Sequence, residues 1–175
     1  HLDQNVSEQE LLNQIRGLNE NPRVHGILVQ LPLPAQINTP RIIESVDPQK
    51  DVDGFHPINL GKLLSQNYHF IACTPLGILR LLDYYKIEIK GKRAVVMGRS
   101  ITVGRPMNLL LDQRGATVTG VHLKTKAPME ITRQADILVV ATGQAHLVGK
   151  DHLKSGAIVV DVGIHRNDQG KLTGD

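Results

Sequence analysis

The stretch Arg93-Ala94-Val95-Val96-Met97-Gly98-Arg99-Ser100-Ile101-Thr102-Val103-Gly104-Arg105-Pro106 restricts this chain more than any other. An apolar run passes through a glycine into a turn, and a second glycine opens an apolar-periodic segment. A strand leading into a helix satisfies that pattern. Three further runs, residues 116–121, 136–141 and 157–162, are short, apolar and β-branched, with polar spacers of helical length or less between them. Runs of this kind suit a parallel sheet covered on both faces, so an α/β fold is expected.

A strand that enters a helix through glycines can hold an anion. Backbone N–H groups at a helix start lack intrahelical partners and carry partial positive charge. Arg99 and Arg105 flank this turn, and guanidinium meets phosphate through paired, charge-assisted bonds. The spacing departs from the dinucleotide fingerprint G-x-G-x-x-G, with Ser100 in place of the second glycine and the third falling at Gly104. Two readings stand at this point, a phosphate loop and a tight strand-to-helix connection. After the second strand, an NAD site offers an acid to the ribose 2′-hydroxyl. This chain has His122-Leu123-Lys124-Thr125-Lys126 there, which together with Arg99 favours a 2′-phosphate and hence NADP. A solvated loop remains the alternative for Lys124 and, more strongly, for Lys126.

The 175 residues hold one ordinary domain or two small ones. Their net charge of +3 comes from scattered Lys and Arg, and aromatic residues make up only 3% with no Trp. Few stacking platforms and no basic block argue against nucleic acid. The single Cys73 excludes an intrachain disulfide and agrees with a reducing, cytoplasmic setting. No apolar run approaches the roughly 18 residues of a membrane span, and no metal site is expected. A start at His1 and an end at Gly174-Asp175, straight after an apparent hairpin, lead to the expectation that both ends of a longer protein are missing.

Ser7 followed by Glu10 forms a capping box ahead of Leu11, Leu12, Ile15 and Leu18, predicting a helix over about 7–20. Residues 25–30 read as a buried strand that stops at Leu31-Pro32-Leu33-Pro34. Thr39-Pro40 sets an N-cap and N1 proline for a short helix to about Val46, and a polar loop over 47–56 follows. Thr74-Pro75 repeats the signal for a helix to about Tyr85, with Leu76, Leu79, Leu82 and Tyr85 on its buried side. The domain boundary is placed after that helix, giving domains 1–86 and 87–175, the second closing with a hairpin that turns at 167–170.

Gln30 closes an apolar strand before a stiff proline loop, where its amide can be presented at a fixed position or can merely satisfy loop backbone. Asp53, before Gly54, has the composition of an ordinary turn. Taken together, Val29-Gln30-Leu31-Pro32-Leu33-Pro34, Lys50-Asp51-Val52-Asp53-Gly54-Phe55, Cys73-Thr74-Pro75, the 98–106 loop, Ala141-Thr142-Gly143 and Asp161-Val162-Gly163-Ile164 resemble, in order and spacing, the bifunctional methylenetetrahydrofolate dehydrogenase/methenyltetrahydrofolate cyclohydrolase family. The resemblance covers essentially the whole chain.

It implies a folate-side α/β domain and a Rossmann-like NADP-binding domain, in a homodimeric enzyme that uses tetrahydrofolate derivatives in one-carbon metabolism and purine supply. Such an enzyme oxidises 5,10-methylenetetrahydrofolate with NADP⁺ and hydrolyses the methenyl product to 10-formyltetrahydrofolate. Gln30 then matches the glutamine that contacts the catalytic lysine, and Asp53 the acid that binds the pterin, with Leu31 and Pro32 beside them. Gly98, Arg99, Ser100, Val103, Gly104, Arg105, Pro106, His122, Thr142, Gly143 and Ile164 match the cofactor side. Two departures stand out. Leu123 replaces the serine of the family's His-Ser-Lys-Thr, and the Tyr-x-x-x-Lys and Pro-Gly-Gly-Val-Gly-Pro segments are absent from the sequence. A chain without that lysine is expected to lack cyclohydrolase activity and to have little or no dehydrogenase activity, with NADP binding retained by the half from about Lys86. Other readings are another two-domain NADP oxidoreductase and a nucleotide-binding or dimerisation module without chemistry.

Overall fold

The chain divides into two units, 1–72 and 73–175, of which the computed structural model describes residues 2–166 and 169–175.

In the first unit α1 (Glu8–Glu20) starts as its sequence dictates, with Ser7 Oγ accepting from Glu10 N at 3.2 Å. Its last turn carries no basic residue of its own. Lys50 supplies the charge from a distant loop, donating to the carbonyls of Leu18, Asn19 and Asn21 at 3.1, 2.5 and 3.0 Å. The cap of α2 (Thr39–Ser45) is Asn38, not Thr39: its Oδ1 accepts from Arg41 N at 3.1 Å. Glu8 ties the two helices by accepting from Asn38 N and Arg41 Nη1, each at 2.7 Å. Ile15, Ile27, Ile37, Ile42 and Val46 form the core beneath them.

Residues 25–30 do not form the predicted strand. Only Ile27 pairs, in a single parallel bridge to Asp51, and the chain then runs extended into the prolines with Leu28 60% exposed. A further helix, α3 (Pro57–Leu64), follows the 47–56 loop, capped by His56, whose Nδ1 accepts from Ile58 N at 3.1 Å.

The second unit begins with α4 (Cys73–Tyr84), which starts ahead of the Thr74-Pro75 signal and buries Pro75, Ile78, Leu79 and Leu82. Leu76 is half-buried, and Tyr85 lies beyond the helix and is exposed. This helix packs on α5 (Gly104–Gln113), where Arg114, just past its end, pairs with Asp83. That packing is why the division falls between Ala72 and Cys73 rather than after the helix.

Strands β1 (Arg93–Met97), β2 (Thr117–Val121), β3 (Ile137–Val140) and β4 (Ile158–Asp161) form one parallel sheet in the order β2-β1-β3-β4. The short helix α6 (Pro128–Thr132) lies between β2 and β3 in sequence. Val95, Met97, Val121, Leu138 and Val140 pack in a common core with Ala135. Met97 is in register with Val121 on one side and Val140 on the other, and Val140 with Asp161, so all four strands end level. The connection from β1 runs to β2 on one side and the next, from β2, crosses to β3 on the other, which opens a crevice at the carboxyl end of β1. Strands β5 (His165–Arg166) and β6 (Leu172–Thr173) pair antiparallel. Of the hairpin turn predicted at 167–170, Asn167 and Asp168 lie outside the described residues. No helix among the described residues is long and apolar enough to cross a membrane.

Candidate functional site

A cleft of about 440 Å³ occupies that crevice. Its first wall is the exit of β1: Met97, Gly98, Arg99 and Ser100. Gly98 has φ +123°, and a Cβ there would overlap the Ala141 carbonyl oxygen. A Cβ at Gly104 would overlap the Gly98 carbonyl. The two glycines therefore make a tight strand-to-helix connection, and the same close approach forms the floor of the cleft. Of the two sequence readings, the tight strand-to-helix connection is the one this backbone displays.

The helix start differs from expectation. Ser100 Oγ accepts from Val103 N at 3.1 Å and Gly104 N at 3.4 Å, and Ser100 O accepts from Arg105 N at 3.0 Å. The first amides of α5 are thus capped from within the loop, so side-chain cations carry the positive charge presented to the cleft. Arg99 lines it, whereas Arg105 is exposed and does not.

The second wall follows β2. His122 N donates to Thr125 Oγ1 at 2.9 Å, and His122 Nδ1 accepts from Lys124 N at 3.2 Å, closing a turn. That turn sets His122, Leu123 and Lys124 on the cleft and leaves Lys126 exposed outside it. Pro128, Leu147 and His152 add to the lining, although no sequence pattern singled them out. The third wall is Ala141 and Thr142 at the end of β3. Among the described residues, no carboxylate lines the cleft.

Of the residues expected on the cofactor side, Gly98, Arg99, Ser100, His122 and Thr142 come together here. Val103, Gly104, Arg105, Pro106, Gly143 and Ile164 do not line it. Gly104 and Pro106 are buried at the helix start, and Ile164 is 77% exposed.

Behind Thr142 sits Asp175, which the sequence did not single out. Its Oδ2 accepts from Thr142 N at 2.7 Å, Thr142 Oγ1 at 3.1 Å and Gly143 N at 3.2 Å, and its Oδ1 lies 2.6 Å from His165 Nε2. Burial raises its pKa, but the bonds from His165, Thr142 and Gly143 outweigh that and hold it below the usual carboxylate range.

In the first unit, Gln30 is exposed and donates from Nε2 to Leu31 O at 2.9 Å. Gln30 and Pro32 line an apolar groove of about 570 Å³ with Leu11, Ile15 and Leu33, while Leu31 is half-buried outside it. Asp53 lines a separate recess with Asp51 and Phe55, and Ile27 and Val29 wall both concavities. The two acids have different duties. Asp51 is buried and pins the loop, its Oδ2 accepting from His56 N and Asn59 Nδ2, each at 2.8 Å. No hydrogen bond among the described residues engages the Asp53 carboxyl, whose pKa is raised by burial and then by the charge of Asp51. The turn role belongs to Asp51 and not to Asp53.

Comparison with known proteins agrees with this architecture. The family model described as tetrahydrofolate dehydrogenase/cyclohydrolase, NAD(P)-binding domain, matches residues 72–175, and the one for the catalytic domain of the same enzymes matches residues 1–53. The chain is 54% identical over 173 residues to the bifunctional protein FolD of Brevibacillus brevis, and 55% identical over 174 residues to that of Oceanobacillus iheyensis. Each match covers 99% of this chain and 61% of the relative, so the chain spans about three-fifths of the length of these curated relatives. The crystal structure of the bifunctional FolD enzyme from Campylobacter jejuni matches at 51% identity with a TM-score of 0.97, covering all of this chain and 62% of its own. The enzyme from Trypanosoma brucei, complexed with NADP cofactor and inhibitor, matches at 38% identity with a TM-score of 0.92, covering 99% of this chain and 62% of its own.

Proposed function

Because the chain belongs to the tetrahydrofolate dehydrogenase/cyclohydrolase family, we propose that its protein oxidises 5,10-methylenetetrahydrofolate with NADP⁺ and hydrolyses the methenyl product to 10-formyltetrahydrofolate. The observation that carries the cofactor half is the cleft at the end of β1, with Arg99 and Lys124 on it and no acid among its described lining residues. Its donor set fits NADP: cations for a 2′-phosphate, an apolar lining of Val121, Leu123, Pro128 and Leu147 for a ring, and glycine backbone bare enough for close approach. The T. brucei relative's NADP complex supports the same cofactor.

Bound there, NADP⁺ supplies the acceptor for the hydride that leaves the methylene carbon. The chain's own residues orient and recognise. Asp53 accepts from the amide and amino N–H groups of the pterin, the pairing that its unpartnered carboxylate is free to make. Gln30 holds an amide at the rim of the apolar groove, where it orients the one-carbon bridge. An amide does not titrate near neutrality, so Gln30 moves no proton. A cytoplasmic homodimer feeding purine synthesis belongs to the same proposal, on the strength of the family resemblance.

The test is reduction of NADP⁺ by the protein at the relatives' length, with 5,10-methylenetetrahydrofolate supplied. Turnover favouring NADP⁺ over NAD⁺, and lost in Asp53→Ala with NADP affinity retained, is expected. Normal turnover by Asp53→Ala would remove Asp53 from pterin recognition, and no turnover by the unaltered protein would end the enzymatic reading.

A further inference from the structure

The wall of the cleft that leaves β3 is held by a buried anion. The Asp175 side chain has no solvent exposure and receives three donors from one turn, the N–H groups of Thr142 and Gly143 and the Thr142 hydroxyl, besides His165 Nε2. Consecutive backbone N–H groups converging on one oxygen form an anion nest, and Gly143 at φ +69° gives the turn its shape. A second carboxylate fixes the first. Asp161, the last residue of β4, accepts from Gly163 N at 2.9 Å and Asp175 N at 3.1 Å through Oδ1. Gly163 and Gly174 are bare because a Cβ at either would overlap the carboxylate of Asp175 or Asp161 respectively.

We propose that Asp175 is a positioning residue for dinucleotide binding: its carboxylate fills the nest of Thr142 and Gly143 and, through Thr142, fixes the cleft wall opposite the turn that carries Lys124. This rests on the reading of the cleft as a dinucleotide site. Two consequences follow from the geometry. A phosphate has no place in the nest, because it would have to displace a buried carboxylate of its own sign, so the phosphates lie toward Arg99 and Ser100. The Thr142 hydroxyl, whose proton goes to Asp175 and which already accepts from Gln144 N at 3.2 Å, meets a ligand as an acceptor. It suits a ribose hydroxyl or a carboxamide N–H.

Asp175→Asn keeps the shape and one acceptor oxygen but removes the charge that the nest holds, and Thr142→Val removes one contact with Asp175 and leaves both N–H donors. NADP and NAD dissociation constants are measured by calorimetry for the chain, each single variant and the double, with hydrogen exchange at the Thr142 and Gly143 amides without ligand. Asp175→Asn should weaken both cofactors by about tenfold, equivalent to about 1.4 kcal/mol, with their ratio unchanged because Arg99 and Lys124 are untouched. Thr142→Val should weaken both by about threefold, within the range of one hydrogen bond, and the double, which loses the shared Asp175–Thr142 contact only once, should lose less than the two single losses combined. Exchange at both amides should accelerate in Asp175→Asn. Additive losses, a changed cofactor ratio or unchanged affinity would overturn the proposal. If Asp175→Asn does not fold, unaltered affinity in Thr142→Val overturns it. If the unaltered chain binds neither cofactor, the dinucleotide reading fails, and unaccelerated exchange in Asp175→Asn then overturns the anchoring role as well.

Discussion

Replacing Gly104 with alanine tests whether the approach of α5 to β1 builds the cleft. The new Cβ would overlap the Gly98 carbonyl and stand 2.7 Å from Arg99 N. These are backbone atoms, so no side chain can swing aside and either α5 or the loop must move. Overpacking of this kind costs about 1–3 kcal/mol. Alanine's helical preference over glycine returns at most about 1 kcal/mol. Overlap with backbone that cannot swing aside puts the cost at the upper end, so the net loss is about 2 kcal/mol, or roughly 8–16 °C in the melting of a unit near 100 residues. Gly77→Ala is the control, since a Cβ there meets nothing within 4 Å inside α4, and its stability should rise by up to about 1 kcal/mol. Thermal unfolding and NADP calorimetry on the same samples read both effects. Gly104→Ala should lose affinity together with stability, because the displaced residues 98–100 are the wall itself. A Gly104→Ala protein that melts at or above the unaltered temperature and binds NADP equally well would refute the reasoning.

Arg99→Ala should remove a charge-assisted phosphate contact worth about 1.5–3 kcal/mol, raising the NADP dissociation constant about ten- to a hundredfold and leaving NAD nearly unchanged; equal weakening in calorimetry would contradict the 2′-phosphate assignment. Asp53→Asn should melt slightly higher at neutral pH, because burial and Asp51 disfavour the ionised form, a gain of about 0.5 kcal/mol or less after solvent screening; a lower melting temperature would reveal a structural partner. Asp136, lowered by Lys154 and the Arg93 N–H, and Asp83, lowered by Arg114, bind protons less readily folded than unfolded. Their contribution is complete above the unfolded pKa of about 4 and is lost as pH falls through the folded values. Acid titration of the melting temperature should show that decline, shallower in Lys154→Met, and an identical slope in that variant would remove Asp136 from the explanation.

The centre of the parallel sheet was legible because β1 and β3 are buried along nearly all their length and read as unbroken apolar runs, whereas the edge strands β2 and β4 are exposed at several positions, so the expected cover on both faces holds only at the centre. The start of α1 was legible because Ser7 and Glu10 spell a cap. What escaped depends on partners distant in sequence or on uncommon chemistry. The cap of α3 is a histidine, and the 25–30 run finds a partner for one residue alone, which local pattern does not reveal. Gly98, Arg99, Ser100, His122 and Thr142 were legible as a set, yet which of their neighbours face the cleft follows from where turns close. His122 and Thr125 close one such turn and leave Lys126 outside. Asp175 meets Thr142 across 33 residues. The one local trace of that contact is the pair of glycines, Gly163 and Gly174, each placed where a side chain would strike an acid.

Isotope-labelled chain titrated with NADP and with NAD, followed by amide chemical shifts, tests the central claim most directly. Shifts should gather at Gly98, Arg99, Ser100, His122, Lys124 and Thr142 and saturate at a lower concentration of NADP than of NAD. Shifts centred elsewhere, or saturation by NAD at the lower concentration, would contradict a 2′-phosphate-reading dinucleotide cleft at the end of β1.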